Sequence, residues 1–351
     1  MQTALTSTGP ARARPLMRTI TVLLGDPNLP DSSKPGGRFT DDDRFQVEKL
    51  REALTAIPAY EFEFWNDHTT LFERLRDERP AFVLNFCDTG FYNRAQHELH
   101  IPALLEMLGI PYSGAGPVAL GLCYDKSLVR AVAAAHGIAV PDEVFLRAGS
   151  ELGSFSYPAF VKPNRGDGSV GITQASIVGD AAAARATIAS LRRDDPRTEL
   201  LVQEFLSGEE YGLGVIGNPA DGLTALPLMA IDYSALDPAL PRLLDYSSKV
   251  DPDSPYWNDI RYPAATLDAA TEARLLEWCT TLFERLQLRD YARFDFRTNA
   301  AGQIKLLEVN PNPAWCWDGK LAHMGELADL SHSDVLARII AAAERRIATG
   351  A

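Results

Sequence analysis

Ala159-Phe160-Val161-Lys162-Pro163 is an apolar run with one lysine in it, and it leads directly into Asn164-Arg165-Gly166-Asp167-Gly168-Ser169-Val170-Gly171. The run predicts a buried strand. We expect a second strand over residues 171–175, antiparallel to the first and joined to it by the glycine-rich loop. Two antiparallel strands indicate a domain of a different kind from the part of the chain that precedes them.

The first third of the chain alternates strands with helices. Apolar patterning predicts strands over residues 19–25, 60–64 and 81–86 and helices over residues 41–57, 70–77 and 101–108. Such alternation is typical of an open, largely parallel sheet covered by helices. In sheets of this kind, functional groups gather at the carboxyl ends of the strands.

The remaining patterns complete an α/β (α+β) chain. Helices are predicted over residues 125–136, 181–192, 268–286 and 333–347, and strands over residues 200–205, 211–216, 292–297 and 303–309. We expect three lobes: an N-terminal open parallel α/β sheet (18–124), a small central antiparallel α+β lobe (125–210) and a C-terminal α+β lobe (211–351). Residues 1–17 lack regular patterning, and we expect them to form a flexible tail.

Composition limits the function classes. The 351 residues include 34 Lys and Arg against 47 Asp and Glu, for a formal net charge of −13, and 46% are hydrophobic. The apolar fraction excludes a disordered chain, and the acidic balance argues against nucleic-acid and anionic-membrane partners. Four scattered cysteines without zinc-ligand spacing indicate unpaired thiols in a reducing compartment. No apolar run approaches the ~20 residues that cross a bilayer, so we expect a cytoplasmic protein.

The glycine-rich loop is a candidate phosphate site, because backbone amides without a neighbouring Cβ can approach an anion closely. Lys162 precedes the loop inside a predicted strand, where burying an ammonium group is costly unless an opposite charge meets it. A nucleotide phosphate would supply that charge, and Lys126, at the start of a predicted helix, offers a second cation. The alternatives are a flexible hairpin and a solvated lysine.

Residues 201–210 run from a predicted strand into a turn. An extended backbone of this type can hydrogen-bond an adenine edge, while a carboxylate that follows it reaches ribose hydroxyls. The candidate residues in this segment are Gln203, Glu204, Phe205, Leu206 and Glu210.

A second constellation occupies two predicted strands near the end of the chain. Alternation places Arg293 and Asp295 on one strand face, and Glu308 and Asn310 on one face of the next strand. Two carboxylates and an amide suit Mg²⁺, which is normally shared with substrate phosphates. Arg293 beside them would stabilise developing negative charge. The alternative is a surface ion pair between Arg293 and Asp295.

Taken in order along the chain, these motifs resemble the D-alanine:D-alanine ligase branch of the ATP-grasp enzymes. The resemblance runs from about residue 104 to the C-terminus. It implies an ATP-grasp fold with ATP held between two antiparallel sheets. It rests on Tyr124-Asp125-Lys126, Phe160-Val161-Lys162-Pro163, the glycine-rich loop, residues 203–210, Asp245-Tyr246-Ser247-Ser248-Lys249, Arg293-Phe294-Asp295 and Glu308-Val309-Asn310-Pro311.

The resemblance also implies a role for each candidate residue and a reaction. A carboxylate would be phosphorylated to an acyl phosphate, an amine would attack it, and phosphate would leave. The implied roles are phosphate binding by Lys126, Lys162, Gly166, Gly168 and Ser169; adenine contact by Gln203, Glu204, Phe205 and Leu206; ribose contact by Glu210; γ-phosphate contact by Lys249; two Mg²⁺ ions held by Asp295, Glu308 and Asn310; and oxyanion stabilisation by Arg293.

The acceptor side departs from the family pattern. The glycine-serine-glutamate motif of true dipeptide ligases is replaced by Gly25-Asp26-Pro27, a loop serine by Gly168, and the usual glutamate by Gln203. Residues 312–320 are bulky and aromatic rather than small and hydroxylic. We therefore expect a rebuilt acceptor pocket, and D-alanine as both substrates is not expected.

Four residues are candidates for contact with the substrates. Arg94 or Lys320 would receive a substrate carboxylate, and Trp315 or Trp317 would face an apolar or cationic side chain. Rim packing or a solvated charge is the alternative for each of them.

The leading hypothesis is an ATP-dependent carboxylate–amine ligase that acts on small molecules with ATP and Mg²⁺ and is compatible with a homodimer. A small-molecule kinase on the same scaffold, and a non-catalytic nucleotide-binding module, are the alternatives. The reaction product distinguishes the ligase from the kinase, since a ligase yields an amide and free phosphate, and a kinase yields a stable phosphorylated substrate.

Overall fold

The computed structural model describes residues 18–166, 168–251 and 253–350, without the side chains of Lys249 and Val250. The tail expected over residues 1–17 lies outside the described residues. Among the described residues, no helix combines the length and the apolar character that crossing a membrane requires.

The N-terminal part forms a parallel three-stranded sheet with the order β2-β1-β3, which confirms the predicted class of sheet. Helix α1 begins where Thr40 and Asp43 form a reciprocal capping box, and it ends before Pro58. The elements are β1 (Arg18–Leu23), α1 (Asp41–Thr55), β2 (Tyr60–Trp65), α2 (Leu71–Glu78), β3 (Val83–Asn85), α3 (His100–Leu108) and α4 (Pro117–Cys123), with 3₁₀ turns at Pro35–Gly37, Phe91–Asn93 and Ala95–His97.

The central part forms an antiparallel four-stranded sheet with the order β4-β7-β5-β6. It has its own small core around Val161, Val202 and Ile188. The elements are α5 (Lys126–Ala135), β4 (Glu143–Leu146), β5 (Ala159–Pro163), β6 (Ile177–Val178), α6 (Ala181–Leu191) and β7 (Leu200–Glu204).

The prediction of a strand over residues 171–175 is wrong, because these residues form turns instead. The backbone keeps turning there, with positive φ at Gly168, Ser169 and Gly171, and a 3₁₀ turn follows at Gln174–Ser176. The chain returns to the sheet only at β6, where Val178 lies opposite Ala159.

The C-terminal part forms a five-stranded antiparallel sheet with the order β10-β8-β11-β12, and β9 pairs with β8. The last two strands pair with each other, with Asp295 opposite Glu308 and Arg293 opposite Asn310. The elements are β8 (Glu210–Asn218), β9 (Gly222–Ala225), β10 (Met229–Ile231), α7 (Ser247–Val250), α8 (Pro255–Asn258), α9 (Ala269–Arg285), β11 (Tyr291–Thr298), β12 (Ile304–Asn310), α10 (Lys320–Glu326) and α11 (His332–Thr349).

The N-terminal and C-terminal parts share one core. Ile20 of β1 and Leu50 of α1 belong to the same buried cluster as Ile340 of α11. At its edge, Arg346 Nε and Nη2 donate to the two carboxylate oxygens of Asp290 at 2.9 Å each.

Helix α5 packs against the C-terminal part rather than the central sheet. Its buried residues Val129 and Ala133 lie in one cluster with Leu282 of α9 and Leu306 of β12. The loop that follows β5 contacts the start of this helix, because Asn164 Oδ1 accepts a hydrogen bond from the amide of Ser127 at 3.0 Å. The start of α5 therefore lies where the central and C-terminal sheets meet.

Candidate functional site

A cavity of about 580 Å³ lies where the three sheets converge. A smaller cavity of about 100 Å³ adjoins it against the central sheet. The two cavities have common wall residues, among them Gln203, Arg293, Glu308 and Lys320. They form one continuous site that reaches from the glycine-rich loop to α1 and the segment after β12.

Lys162 lies in the wall of the smaller cavity, on β5, and is only 3% exposed. Burial and the positive charge of Lys126 lower the pKa of its ammonium group to about 8, although the carboxylates of Glu308 and Glu143 oppose the shift. A buried cation with a lowered pKa binds an anionic ligand favourably, because the ligand supplies the missing charge. This placement fits the expected phosphate contact.

Lys126 begins α5, directly after its N-cap Asp125, and lies in the wall of the larger cavity. Its Nζ donates a hydrogen bond to the carbonyl of Gly166, so the lysine also stabilises the conformation of the glycine-rich loop. The loop has positive φ at Gly166 and Gly168, which a side chain would strain. Ser169 anchors its far side by donating to the carbonyl of Leu244 at 3.1 Å.

The expected nucleoside residues line the smaller cavity together. These are Gln203, Glu204, Phe205, Leu206 and Glu210. Gln203 Nε2 donates to Glu143 Oε2 at 2.5 Å, and Phe205 stacks on Phe160 with ring centroids 6.3 Å apart. The apolar rings and the amide make this cavity suitable for a flat, polar-edged base.

Glu210 is buried at the start of β8, at the edge of the smaller cavity. Its carboxylate accepts a hydrogen bond from the hydroxyl of Tyr233 at 2.8 Å and lies 3.4 Å from Arg297 Nη1. These two partners hold the carboxylate in place at the position expected to meet ribose hydroxyls.

The acidic constellation of β11 and β12 forms one cluster. Arg293 donates to both carboxylate oxygens of Asp295, at 2.8 and 3.0 Å, and Asn310 Nδ2 donates to Asp295 at 3.3 Å. The Arg293–Asp295 ion pair is buried rather than exposed, with side chains 11% and 7% accessible. Glu308 lies opposite Asp295 and lines both cavities.

This donor set fits Mg²⁺, since its members offer carboxylate and amide oxygens. Within the part of the chain that the structure describes, no group of three or more His, Cys, Asp or Glu side chains is placed to hold a metal ion. A magnesium ion bound by Asp295, Glu308 and Asn310 would therefore take its other ligands from phosphate oxygens and water.

Among the substrate candidates, only Lys320 reaches the cavities. Its Nζ lies 3.8 Å from Asp295 Oδ2. Arg94, Trp315 and Trp317 lie in the wall of neither cavity.

These three placements differ from the expectation for physical reasons. The indole N–H of Trp315 donates to the carbonyl of Phe86 at 2.9 Å, so this ring serves the packing between lobes. Trp317 is 39% exposed and meets the edge of Phe45, and Arg94 is exposed. The side chain of Lys249 lies outside the described residues.

Several cavity residues were missed by sequence reasoning. Strand alternation contains a signal for two of them, since Phe160 is two residues from Lys162 and Arg297 two residues from Asp295. The acidic wall from α1 and the segment after β12, with Asp42, Gln46 and Asp318, has no local signal.

Comparison with known proteins agrees with this arrangement. A family model described as "D-ala D-ala ligase C-terminus" matches residues 138–341. A putative D-alanine–D-lactate ligase from Streptomyces coelicolor is 32% identical over 287 residues, which is 77% of this chain and 79% of that protein. A D-alanine–D-alanine ligase from Ralstonia pickettii is 30% identical over 249 residues, 69% of this chain and 70% of that protein.

A solved D-alanine–D-alanine ligase from Bacillus anthracis, complexed with ATP, has a similar fold. The TM-score is 0.70 at 20% identity, and the likeness covers 96% of this chain and 100% of that chain. The fold with its two antiparallel sheets around a cleft is thus the ATP-grasp fold. The chain belongs to the D-alanine–D-alanine ligase family, a family of ATP-dependent ligases whose members use ATP and Mg²⁺.

Proposed function

We propose that this protein is an ATP-dependent carboxylate–amine ligase that joins two small molecules through a peptide or amide bond. The observation that supports it best is the strand register that sets Asp295 beside Glu308, in the same continuous site as Lys126 and Lys162. Cationic groups for phosphates and oxygen donors for a divalent cation thus face one cleft.

In the proposed reaction a substrate carboxylate attacks the γ-phosphate of ATP, which releases ADP and leaves an acyl phosphate. An amine then attacks the carbonyl carbon, and phosphate leaves from the tetrahedral intermediate. Arg293, fixed by its bidentate pair with Asp295, would stabilise the oxyanion. Lys249 would contact the γ-phosphate. Bound to Asp295, Glu308 and Asn310, two Mg²⁺ ions would neutralise charge on the phosphate oxygens.

The names of the relatives concern D-alanine with D-alanine or D-lactate. The wall of the larger cavity here includes Asp318 and Lys320. Both lie in a segment, residues 312–320, that departs from the family pattern. We therefore propose substrates other than two D-alanine molecules.

The test is a matrix of carboxylates and amines incubated with ATP and Mg²⁺, with ADP, phosphate and product measured. A ligase gives an amide and free phosphate, and hydroxylamine intercepts the acyl phosphate as a hydroxamate. A stable phosphorylated substrate would instead establish a kinase. Absence of turnover together with ATP binding that ignores Mg²⁺ would establish a binding module.

Glu308→Gln tests the metal assignment. We expect turnover to fall by roughly a hundredfold or more, with ATP affinity only moderately weakened, because the lost contact acts mainly on the transition state. Glu326→Gln is the matched control, since that glutamate lies on α10 with 60% of its side chain exposed and outside both cavity walls. Unchanged turnover in Glu308→Gln would contradict the assignment.

A further inference from the structure

Three side chains lie on one face of the central sheet, with Gln203 in the middle. Glu143 of β4 and Phe160 of β5 lie directly opposite Gln203 of β7, one on each side of it. Directly opposed residues of antiparallel strands place their side chains on the same face. Gln203 and Phe160 belong to the wall of the smaller cavity, whereas Glu143 lies in the wall of neither cavity. Glu143 is therefore a neighbour of the site and not part of its surface.

Glu143 fixes the orientation of the Gln203 amide. Nε2 of Gln203 donates to Glu143 Oε2 at 2.5 Å. A carboxylate offers only acceptors, so a flipped amide would set the glutamine oxygen against a carboxylate oxygen. The carboxylate is itself held in place, because Arg130 Nε of α5 lies 2.9 Å from its other oxygen, Oε1. The side chain of Glu143 is only 1% accessible, so the contact with Gln203 lies inside the protein.

Oε1 of Gln203 is the amide atom that remains for a ligand. No described residue donates a hydrogen bond to it. Oε1 is also not among the buried unpaired polar atoms of the described chain, so it has surface that a ligand can reach. Gln203 as a whole is 4% exposed, and an acceptor in such an enclosed place binds a donor favourably. A ligand that meets this atom therefore presents an N–H group to it.

A glutamine without this constraint would discriminate poorly. Its terminal amide can rotate to present either the oxygen or the NH₂ group at little cost. It could then bind a purine with an amino group at the facing edge, or a purine with a carbonyl oxygen there. The Glu143 carboxylate removes the second possibility, since it accepts from the NH₂ group and has no proton to donate.

We infer that Glu143 is a positioning residue for nucleobase selection. It holds the Gln203 oxygen toward the base, so the site accepts a purine with an exocyclic amino group at the facing edge. A purine with a carbonyl oxygen there is rejected, because two acceptors would face each other with no proton between them. This inference rests on the proposed function, in which Gln203 contacts the base of the nucleotide.

Calorimetry with three nucleoside triphosphates and Mg²⁺ tests the inference without any other substrate. At the 6-position of the purine, ATP has an amino group, purine riboside triphosphate has hydrogen, and ITP has a carbonyl oxygen. We expect the wild-type protein to bind ATP roughly tenfold more tightly than purine riboside triphosphate, and ITP more weakly still. A wild-type protein that binds ATP no more tightly than purine riboside triphosphate would overturn the inference.

Glu143→Gln should reverse the constraint. The guanidinium of Arg130 would keep the new amide oxygen facing it, which leaves the new NH₂ group to donate to Gln203 and turns the Gln203 amide around. The advantage of ATP over purine riboside triphosphate should then disappear, a change of roughly tenfold in the affinity ratio. Any effect of the lost charge on phosphate binding is common to both nucleotides, because their triphosphates are identical.

Two further variants separate this role from a structural one. Gln203→Glu combined with Glu143→Gln exchanges the two groups and again turns an acceptor toward the base, so it should restore the wild-type ratio. Asp142→Asn is the matched control and should leave the ratio unchanged, because this exposed carboxylate adjoins Glu143 in the sequence and lies in neither cavity wall. A ratio unchanged in Glu143→Gln, or not restored by the exchange, would overturn the inference.

Failure of the proposed ligase function has a different signature. A base preference that responds to Glu143→Gln, without an amide product from any pair of substrates, would remove the ligase and leave the inference standing. A ligase that uses the three nucleotides equally well would keep the function and overturn the inference. Binding of none of the three nucleotides would overturn both.

Discussion

Replacing Lys162 with methionine should make the ligand-free protein more stable. Lys162 is 3% exposed, and burial and then the charge of Lys126 lower its pKa from 10.5 to about 8. The folded state therefore binds this proton more weakly than the unfolded state does. With each pKa unit equivalent to about 1.4 kcal/mol, the charged lysine lowers the free energy of unfolding by about 3 kcal/mol near neutral pH.

The sign of the pH dependence follows from the lowered pKa. Below about pH 8 the lysine is protonated in both states, and the penalty is present in full. The penalty shrinks as pH rises from about 8 to about 10.5, because the folded state has already released the proton. Lys162→Met should exceed wild type by about 3 kcal/mol at about pH 7 and by less than about 1 kcal/mol at about pH 10.

The assay is urea unfolding of both proteins at the two pH values without nucleotide. Lys305→Met is the matched control, because Lys305 is also buried in a strand but contacts the Glu204 carboxylate at 2.5 Å. This control should lose about 1–3 kcal/mol, since it leaves Glu204 without its partner. A Lys162→Met protein less stable than wild type near pH 7, or a difference that ignores pH, would refute the reasoning.

Three further outcomes follow from the same structure. A bound triphosphate favours the charged form of Lys162, so the affinity for ATP should fall roughly tenfold from about pH 7 to about pH 9. Calorimetry should show that protons are taken up on binding. An affinity that stays constant over this pH range would contradict the lowered pKa of Lys162. Arg346→Met breaks the buried ion pair with Asp290 and should lower the free energy of unfolding by about 3–5 kcal/mol. Urea titration measures this loss, and an unchanged unfolding midpoint would show that the ion pair does not stabilise the fold. Trp315→Phe should lower the free energy of unfolding by about 1 kcal/mol, because it removes the hydrogen bond to the carbonyl of Phe86. Its kcat/KM should stay within about twofold of the wild-type value. A large loss of turnover would place Trp315 in the site.

The positions of the residues that we propose to bind the nucleotide could be predicted because their elements are encoded locally. Lys162 lies in an apolar strand pattern, and Arg293 and Asp295 share a strand face, so local pattern identifies them before any tertiary contact is known. Antiparallel pairing of consecutive strands then brings Glu308 next to Asp295. Motif order along the chain supplied the rest of the expectation.

Other elements lacked a local signal. The strands β9 and β10 have four and three residues, and β9 is largely exposed, so neither shows a periodic apolar pattern. The prediction of a strand directly after the glycine-rich loop was wrong because Ser169 adopts a positive φ and prolongs the turn. Propensity and pattern do not reveal a left-handed serine.

The acidic wall could not be predicted, because it exists only as a contact between lobes. Gln46 and Asp318 are 272 residues apart, and their hydrogen bond forms after α1 and the segment beyond β12 dock together. The groups that we propose to face the nucleotide are held by strand register instead, on the paired strands β11 and β12. Substitutions in the wall therefore leave the Arg293–Asp295 pair in place, since no register contact depends on them. The contact that holds Gln46 against Asp318 and the register that sets Asp295 opposite Glu308 are thus independent features of one cavity lining.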